Sequence, residues 1–353
     1  MNEPSDTTPR QPGPGSAPPG GQSLPVEAPF HGLSLQEFLW LHLQGYSKHY
    51  LRRLVHSDLV CRNGEPIRGC TVREGDLVHV SLPPDKPESY VPVDLALSVL
   101  YEDDDILVLD KPAGLPVVPE TYRAKENLVN GLLFYFQGKR SPAGRPIRGS
   151  VIHRLDKGTS GALVVAKSKV AETELSRQFK RREVEKSYLA LVTGELPDDE
   201  GTIDAALAPH AHDRERTVVT TRSKGKPSIT RYRVERRYRG FTLVEARPLT
   251  GRKHQIRVHL SHLGYPLAVD PLYGGGTGVL LSELKPGYRH KKERTETPII
   301  ARLTLHARRL AFRHPRGEAR IEAEAPLPKD LTRLLTTLEK YRPPRVDRDG
   351  AFG

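Results

Sequence analysis

His153-Arg154-Leu155-Asp156-Lys157-Gly158-Thr159-Ser160-Gly161 runs directly into Ala162-Leu163-Val164-Val165-Ala166. A turn of polar, small and hydroxyl residues that empties into five consecutive apolar residues reads as a loop entering a buried strand. Working outward, residues 106–109, 188–193, 228–238, 241–246, 302–312 and 319–323 read as further strands, several of them alternating with period two. In the same region residues 168–182 and 253–263 carry helical periodicity. Many strands and few helices in irregular order predict an α+β domain with a largely antiparallel mixed sheet, not a doubly wound fold.

A smaller module precedes it. Ser34-Leu35-Gln36-Glu37 is a capping box that opens a short helix, with Gly45 placed to stop it. A second helix starts at Ser47 and presents Lys48, Arg52 and His56 at i, i+4 spacing. Asn63-Gly64 then signals a hairpin, and residues 75–80 a further strand. A solvated helix face explains the three basic residues as readily as a binding face does. The expected layout is a Pro/Gly-rich disordered tail over 1–29, the small module over 31–82, a linker over 83–92 around Pro83-Pro84-Asp85-Lys86-Pro87, the main domain over 93–341 and a short disordered tail over 342–353.

Composition limits what such a chain does. Its 353 residues include 55 basic and 43 acidic ones, a formal charge of +12, which favours polyanionic partners. No apolar run approaches the roughly 18 residues of a spanning helix, and the first residues lack the basic and apolar regions of a signal peptide, so a cytoplasmic location without membrane attachment is expected. Cys61 and Cys70 are too few for a disulfide framework or a four-thiolate site and are read as small core residues.

No phosphate-cradling glycine motif opens a helix, and Gly274-Gly275-Gly276 reads as a mobile loop. His254, His259 and His262 lack the i, i+4 spacing and the carboxylate of a helical zinc site, so the expectation is no metal and no cofactor. Asp156, crowded in sequence by Arg154 and Lys157, is the outstanding carboxylate, although an Asp in a turn is commonly a cap. In Thr250-Gly251-Arg252-Lys253-His254-Gln255-Ile256-Arg257, the apolar stripe runs through Ile256, Leu260 and Leu263, and His254 and Arg257 lie off it. Basic runs at 177–182 and 289–294 are candidate phosphate contacts or ordinary solvated faces.

His-Arg-Leu-Asp-x-x-Thr-Ser-Gly, followed about 90 residues later by Gly-Arg-x-His-Gln-Ile-Arg-x-His, resembles the RluA-type family of RNA pseudouridine synthases. Asp110-Lys111-Pro112-Ala113-Gly114, Lys186-Ser187-Tyr188, Leu305-His306-Ala307 and Ala325-Pro326-Leu327-Pro328 resemble its other motifs in order, over residues 95–335. The small module resembles an S4-type RNA-binding module, though Leu35-Gln36-Glu37 and the stretch Ser57-Asp58-Leu59-Val60-Cys61-Arg62 leading into Asn63-Gly64 depart from that pattern. The resemblance implies Asp156 as the catalytic aspartate, Arg257 as its paired arginine, Tyr188 as the residue packing on the uracil and Arg154 as the one that displaces the target nucleotide. Arg252, His254, Lys48 and Arg52 complete the expected substrate contacts. Val269 departs from the glycine that commonly precedes the family's next aspartate.

The chemistry suits this residue set. Isomerisation breaks the bond from ribose to uracil N1, rotates the base and rejoins it through C5 without redox change, so one carboxylate suffices, as nucleophile or as base. The implied function is isomerisation of uridines in structured RNA by a monomer, with large-subunit ribosomal RNA preferred over transfer RNA. An RNA N-glycosidase would normally need two cooperating carboxylates. A non-catalytic RNA-binding protein would need only the basic surfaces.

Overall fold

The computed structural model describes residues 21–82, 90–121, 124–289 and 295–344. The chain divides into two compact units. The smaller comprises residues up to Val93 with Thr121–Lys125 and Leu132–Arg148, and the larger comprises Asp94–Glu120, Glu126–Gly131 and the rest from Gly149.

The small unit contains strand β1 (Gly21–Pro25), helices α1 (Leu35–His42) and α2 (Lys48–Val55), and strands β2 (Val60–Arg62), β3 (Glu65–Pro66) and β4 (Leu77–Ser81). The strands form one antiparallel sheet in the order β1-β4-β2-β3. Ser34 and Ser47 cap the two helices, their hydroxyls accepting the backbone N–H of Glu37 and Tyr50. Asn63 and Gly64 both have positive φ, the geometry that lets a two-residue turn join strands of right-handed twist. Two boundaries differ from the sequence reading. Residues 21–25, expected in the tail, pair with β4 and bury Leu24, and residues 132–148 pack with this unit instead of the main domain. The cysteines are half-buried, not core residues.

The larger unit begins with β5 (Ser98–Glu102) and β6 (Ile106–Lys111). Helix α3 (Leu128–Tyr135) runs across the division between units, and β7 (Ser150–Val151), β8 (Ser160–Ala166), α4 (Lys169–Arg181), β9 (Glu185–Thr193) and β10 (Glu200–Asp204) follow. Next come β11 (Leu207–Pro209), β12 (Thr217–Val219), β13 (Ile229–Tyr238), β14 (Phe241–Pro248) and α5 (Gln255–His262). The chain then forms α6 (Leu281–Leu284), β15 (Leu305–Arg313), β16 (Arg320–Glu324) and α7 (Lys329–Tyr341). One ten-stranded sheet runs β10-β13-β14-β9-β15-β8-β6-β5, with β16 on β15 and β7 on β8; β11 and β12 form a separate ribbon. All named pairs are antiparallel except β15 with β8. This is the mixed, mostly antiparallel sheet that the strand count predicts.

Strand β8 is buried along its whole length, which explains an unbroken apolar run where an exposed face would show alternation. Helix α4 packs near β8; its Ser168 hydroxyl caps the Ala171 N–H, and Ala171 and Leu175 face the core. Burying a side chain such as Leu175 contributes roughly 1.5–3 kcal/mol. Gly161 has φ of +116°, and a Cβ there would lie 2.2 Å from the Ala307 carbonyl oxygen. Only glycine lets β15 approach the head of β8 this closely.

Candidate active site

The turn ahead of β8 delivers Asp156 to the wall of a cavity of about 740 Å³, lined also by Arg154, Thr159, Lys186, Tyr188, Arg252, His254 and Arg257. The turn is closed by the Thr159 N–H on the Asp156 carbonyl at 3.0 Å. It is also pinned from below: the Lys157 carbonyl accepts the Gly114 N–H at 2.7 Å and the Lys111 ammonium at 3.3 Å. Lys111 is 1% exposed and also donates to the carbonyls of Pro112 and Leu115. Burial pulls its pKa down to about 8, against the upward pull of the Asp156 charge. A single lysine at the end of a strand carries no sequence signal of such burial.

Arg257 is the electrostatic centre. Its Nη1 donates to Asp156 Oδ2 at 3.1 Å, while Nε and Nη2 donate to the two oxygens of Asp270, both at 2.8 Å. The planar fork is therefore used on Asp270, which is fully buried, and a single arm reaches Asp156. Burial works against the charge on Arg257, yet the hydrogen bonds and charge of Asp270, together with Asp156, raise its pKa. Arg257 is itself 6% exposed, so its place off the apolar stripe does not put it in solvent.

The helix start that carries Arg257 is fixed by Gln255. Its oxygen accepts from the Thr250 hydroxyl at 2.7 Å and the Arg252 N–H at 3.1 Å, while its amide nitrogen donates to the Ile229 carbonyl and Thr230. His259 takes no part in the cavity: it is buried between Thr230 and the Ala205 carbonyl. Gly274-Gly275-Gly276 is no free loop. A Cβ at Gly275 would lie 2.1 Å from the Leu267 carbonyl oxygen, and the N–H groups of Asp270 and Gly276 bond within the turn that holds Asp270. The glycines pack the backbone tightly enough to seat Arg257's buried partner. Val269 fits this turn as a core residue, 1% exposed.

On β9, Lys186 and Tyr188 share the cavity face, and Ser187 between them turns away to donate to Glu245 at 2.6 Å. Burial, with the Asp156 charge, pushes the Tyr188 phenol well above its ordinary range, so it stays protonated. His153 lies stacked on Phe179 with ring centroids 4.6 Å apart; its Nε2 accepts the Val164 N–H, and burial pulls it down to about 3. Arg154 is exposed at the rim. Lys157 does not crowd Asp156 as its position in sequence suggested; its ammonium pairs with Glu120 at 3.0 Å. Arg177 is likewise engaged by Glu174 at 2.6 Å, leaving Lys180 and Arg182 of that basic run on the cavity lining. Lys48 and Arg52 sit on α2 of the small unit, the first with its ammonium 4.6 Å from the Trp40 ring centre and the second exposed. Of the run at 289–294, residues 290–294 lie outside the described residues.

Among the described residues this site holds one carboxylate in the cavity, bonded to a guanidinium, beside a protonated phenol with a ring face, in a basic setting. It can attack or deprotonate a ribose while an aromatic ring packs on a displaced base. Comparisons with known proteins agree. Residues 105–262 match the family model for RNA pseudouridylate synthase. The chain is 41% identical over 305 residues to the ribosomal large subunit pseudouridine synthase D of Xanthomonas campestris, covering 84% of this chain and 86% of that protein. It is 37% identical over 282 residues to the protein of that name from Pseudomonas aeruginosa, covering 78% and 84%. Among solved structures, human RNA pseudouridylate synthase domain containing 4 superposes with a TM-score of 0.51 at 25% identity, covering 69% of this chain and 93% of that one. With its fold, its motif order and these relatives in agreement, the chain belongs to the RluA-type family of RNA pseudouridine synthases.

Proposed function

We propose that this enzyme isomerises uridines of large-subunit ribosomal RNA, with Asp156 as the catalytic carboxylate, Arg257 as its orienting partner and Tyr188 as the ring that packs on the flipped uracil. The observation that carries the residue roles is the Asp156–Arg257 contact of 3.1 Å beside Tyr188 in one cavity. The choice of RNA rests on the printed name shared by the Xanthomonas and Pseudomonas relatives. Flipping a stacked uridine costs a few kcal/mol. Arg154, exposed at the rim two residues before Asp156, is suited to filling the vacated place, and stacking on Tyr188 returns roughly 1–3 kcal/mol. Arg252, Lys180 and Arg182 supply cations for the flanking phosphates. The small unit, read as an S4-like module, adds Lys48 and Arg52 on α2.

The test uses an in vitro transcript of large-subunit ribosomal RNA, mapped for pseudouridine after incubation with wild type and with Asp156→Asn. The wild type should convert discrete uridines. The variant should bind equally but lose activity by at least about a thousandfold, since an amide is neither base nor nucleophile. Conversion of transfer RNA alone would refute the choice of RNA; near-normal turnover by the variant would refute the role of Asp156.

A further inference from the structure

Behind Arg257 stands a residue that the reading above leaves idle. Tyr273 is 8% exposed, its ring lies 4.9 Å from the Arg257 guanidinium carbon, and its hydroxyl lies 2.8 Å from His254 Nδ1. The Thr217 backbone N–H reaches the same hydroxyl oxygen at 2.9 Å. A backbone N–H can only donate, so the tyrosine oxygen accepts there; although the Thr217 hydroxyl also bonds to this oxygen, the phenol hydrogen is free to be given to His254 Nδ1. A neutral imidazole whose Nδ1 accepts carries its proton on Nε2. That nitrogen lies 3.8 Å from Asp156 Oδ1, while Arg257 holds the other oxygen, Oδ2.

Backbone geometry supports the same conclusion. His254 is the N-cap of α5 yet makes no capping bond, and it holds a left-handed conformation with φ of +56°. Such a conformation is uncommon outside glycine, although histidine tolerates it better than most, and it is kept where surrounding contacts enforce it. Here the strained backbone aims the ring at the carboxylate instead of at the helix end.

We propose that Tyr273 is a positioning residue that locks His254 as the Nε2–H tautomer, so that this N–H and the Arg257 guanidinium address the two oxygens of Asp156. The proposal rests on Asp156 as the catalytic carboxylate. A distance of 3.8 Å is just beyond a hydrogen bond, and catalytic contacts of this kind commonly tighten when substrate binds. The groups facing His254 are Asp156, Asp270, Arg257 and Lys253, with Arg216 6.0 Å from the Tyr273 ring. Burial, with Arg257 and Lys253, outweighs the two carboxylates and pulls the imidazole down to about 4, so it is neutral at working pH.

The tautomer is read directly, without RNA, from long-range ¹H–¹⁵N spectra of histidine-labelled full-length protein between about pH 6 and 8, with the His254 signals identified by their loss in His254→Gln. A protonated Nε2 and an unprotonated Nδ1 are expected; the opposite pattern, or an even mixture, overturns the proposal. Tyr273→Phe keeps the ring against Arg257 and removes only the hydroxyl. It should mix the tautomers, lower the single-turnover rate on a converted transcript by roughly tenfold, the scale of one hydrogen bond, and move the acidic limb of the rate profile upward, because Nδ1 loses a donor that favours its neutral form. An unchanged tautomer with an unchanged rate overturns the role of Tyr273. His254→Gln, which keeps an N–H, should recover part of the rate lost in His254→Ala; equal losses overturn the role of the N–H. If no transcript is converted, the substrate reading fails while the spectra still decide the tautomer.

Discussion

Each unit contains a buried arginine, and the two are used in opposite ways. Arg148 of the small unit, 4% exposed, donates to four backbone carbonyls: Trp40 at 2.6 Å, Leu43 at 3.2 Å, Gln44 at 2.8 Å and Tyr46 at 2.7 Å. Its guanidinium also lies 3.3 Å from the Trp40 ring centre. These carbonyls belong to the end of α1 and the turn after it, acceptors that a helix leaves unpaired. Arg257 of the larger unit instead faces two carboxylates. Burial pulls the pKa of Arg148 down because its acceptors are neutral, whereas carboxylate partners raise that of Arg257 despite burial. One side chain ends a helix; the other sets the direction of a charge. The difference lies in the acceptors, not in the arginine.

The comparison breaks most visibly at Arg257. Arg257→Lys preserves charge but cannot send a two-pronged fork to Asp270 and a third arm to Asp156. Single-turnover rates should fall by about a hundredfold or more, roughly 3 kcal/mol of transition-state stabilisation. A lysine variant within a few-fold of wild type would show that charge alone suffices there.

Asp270→Ala sharpens the same contrast from behind, because it touches Arg257 without facing the proposed substrate. Removing one partner of a buried pair leaves an uncompensated charge, typically costing about 3–5 kcal/mol. Asp156 retains part of that compensation, so urea unfolding should show a loss near the lower end. The rate should fall as well, as Arg257 swings toward the cavity.

Arg148→Met tests the other arginine and should separate stability from chemistry. The carbonyls of Trp40, Gln44 and Tyr46 lose the Arg148 donor while that of Leu43 keeps the Tyr46 N–H, so the small unit should be destabilised by about 2–3 kcal/mol, each unsatisfied buried acceptor costing about 1–3 kcal/mol before water repairs some of them. Turnover on saturating short RNA should remain. A rate loss as large as that of Arg257→Lys would erase the distinction between a helix clamp and a charge-directing arginine.

The smallest effect is expected from the surface of the small unit. Lys48→Ala with Arg52→Ala should weaken RNA binding and flatten its salt dependence by about 0.9 in slope for each lost duplex phosphate contact, or less on single strands. An unchanged slope would remove these two residues from the RNA contacts.

Much of the fold was legible because its signals are local. The Ser34, Ser47 and Ser168 caps, the Asn63-Gly64 turn and the unbroken β8 run each depend on neighbouring residues alone. Helix α7 has the buried stripe Leu331, Leu334 and Leu338 but no capping side chain to announce its start, since Pro328 stands at its N-cap. Tail residues 21–25 were missed for a different reason. Gly21-Gln22-Ser23 has no strand propensity of its own and is ordered by pairing with β4.

The sequence by itself determined the mixed sheet and the turn bearing Asp156, since periodicity survives without coordinates, and its resemblance to the family implied that Arg257 and Tyr188 share one site. Only the tertiary structure decided what each charge faces. It gave Arg257's fork to Asp270 and one arm to Asp156, placed Lys111 beneath the Asp156 turn, and drew Lys157 away to Glu120. Those partners come from separate segments, and hydrogen bonds demand alignment within a few tenths of an ångström. Residue spacing along a chain carries no such information; the sheet and its tight glycine turn supply it when they close around the cavity.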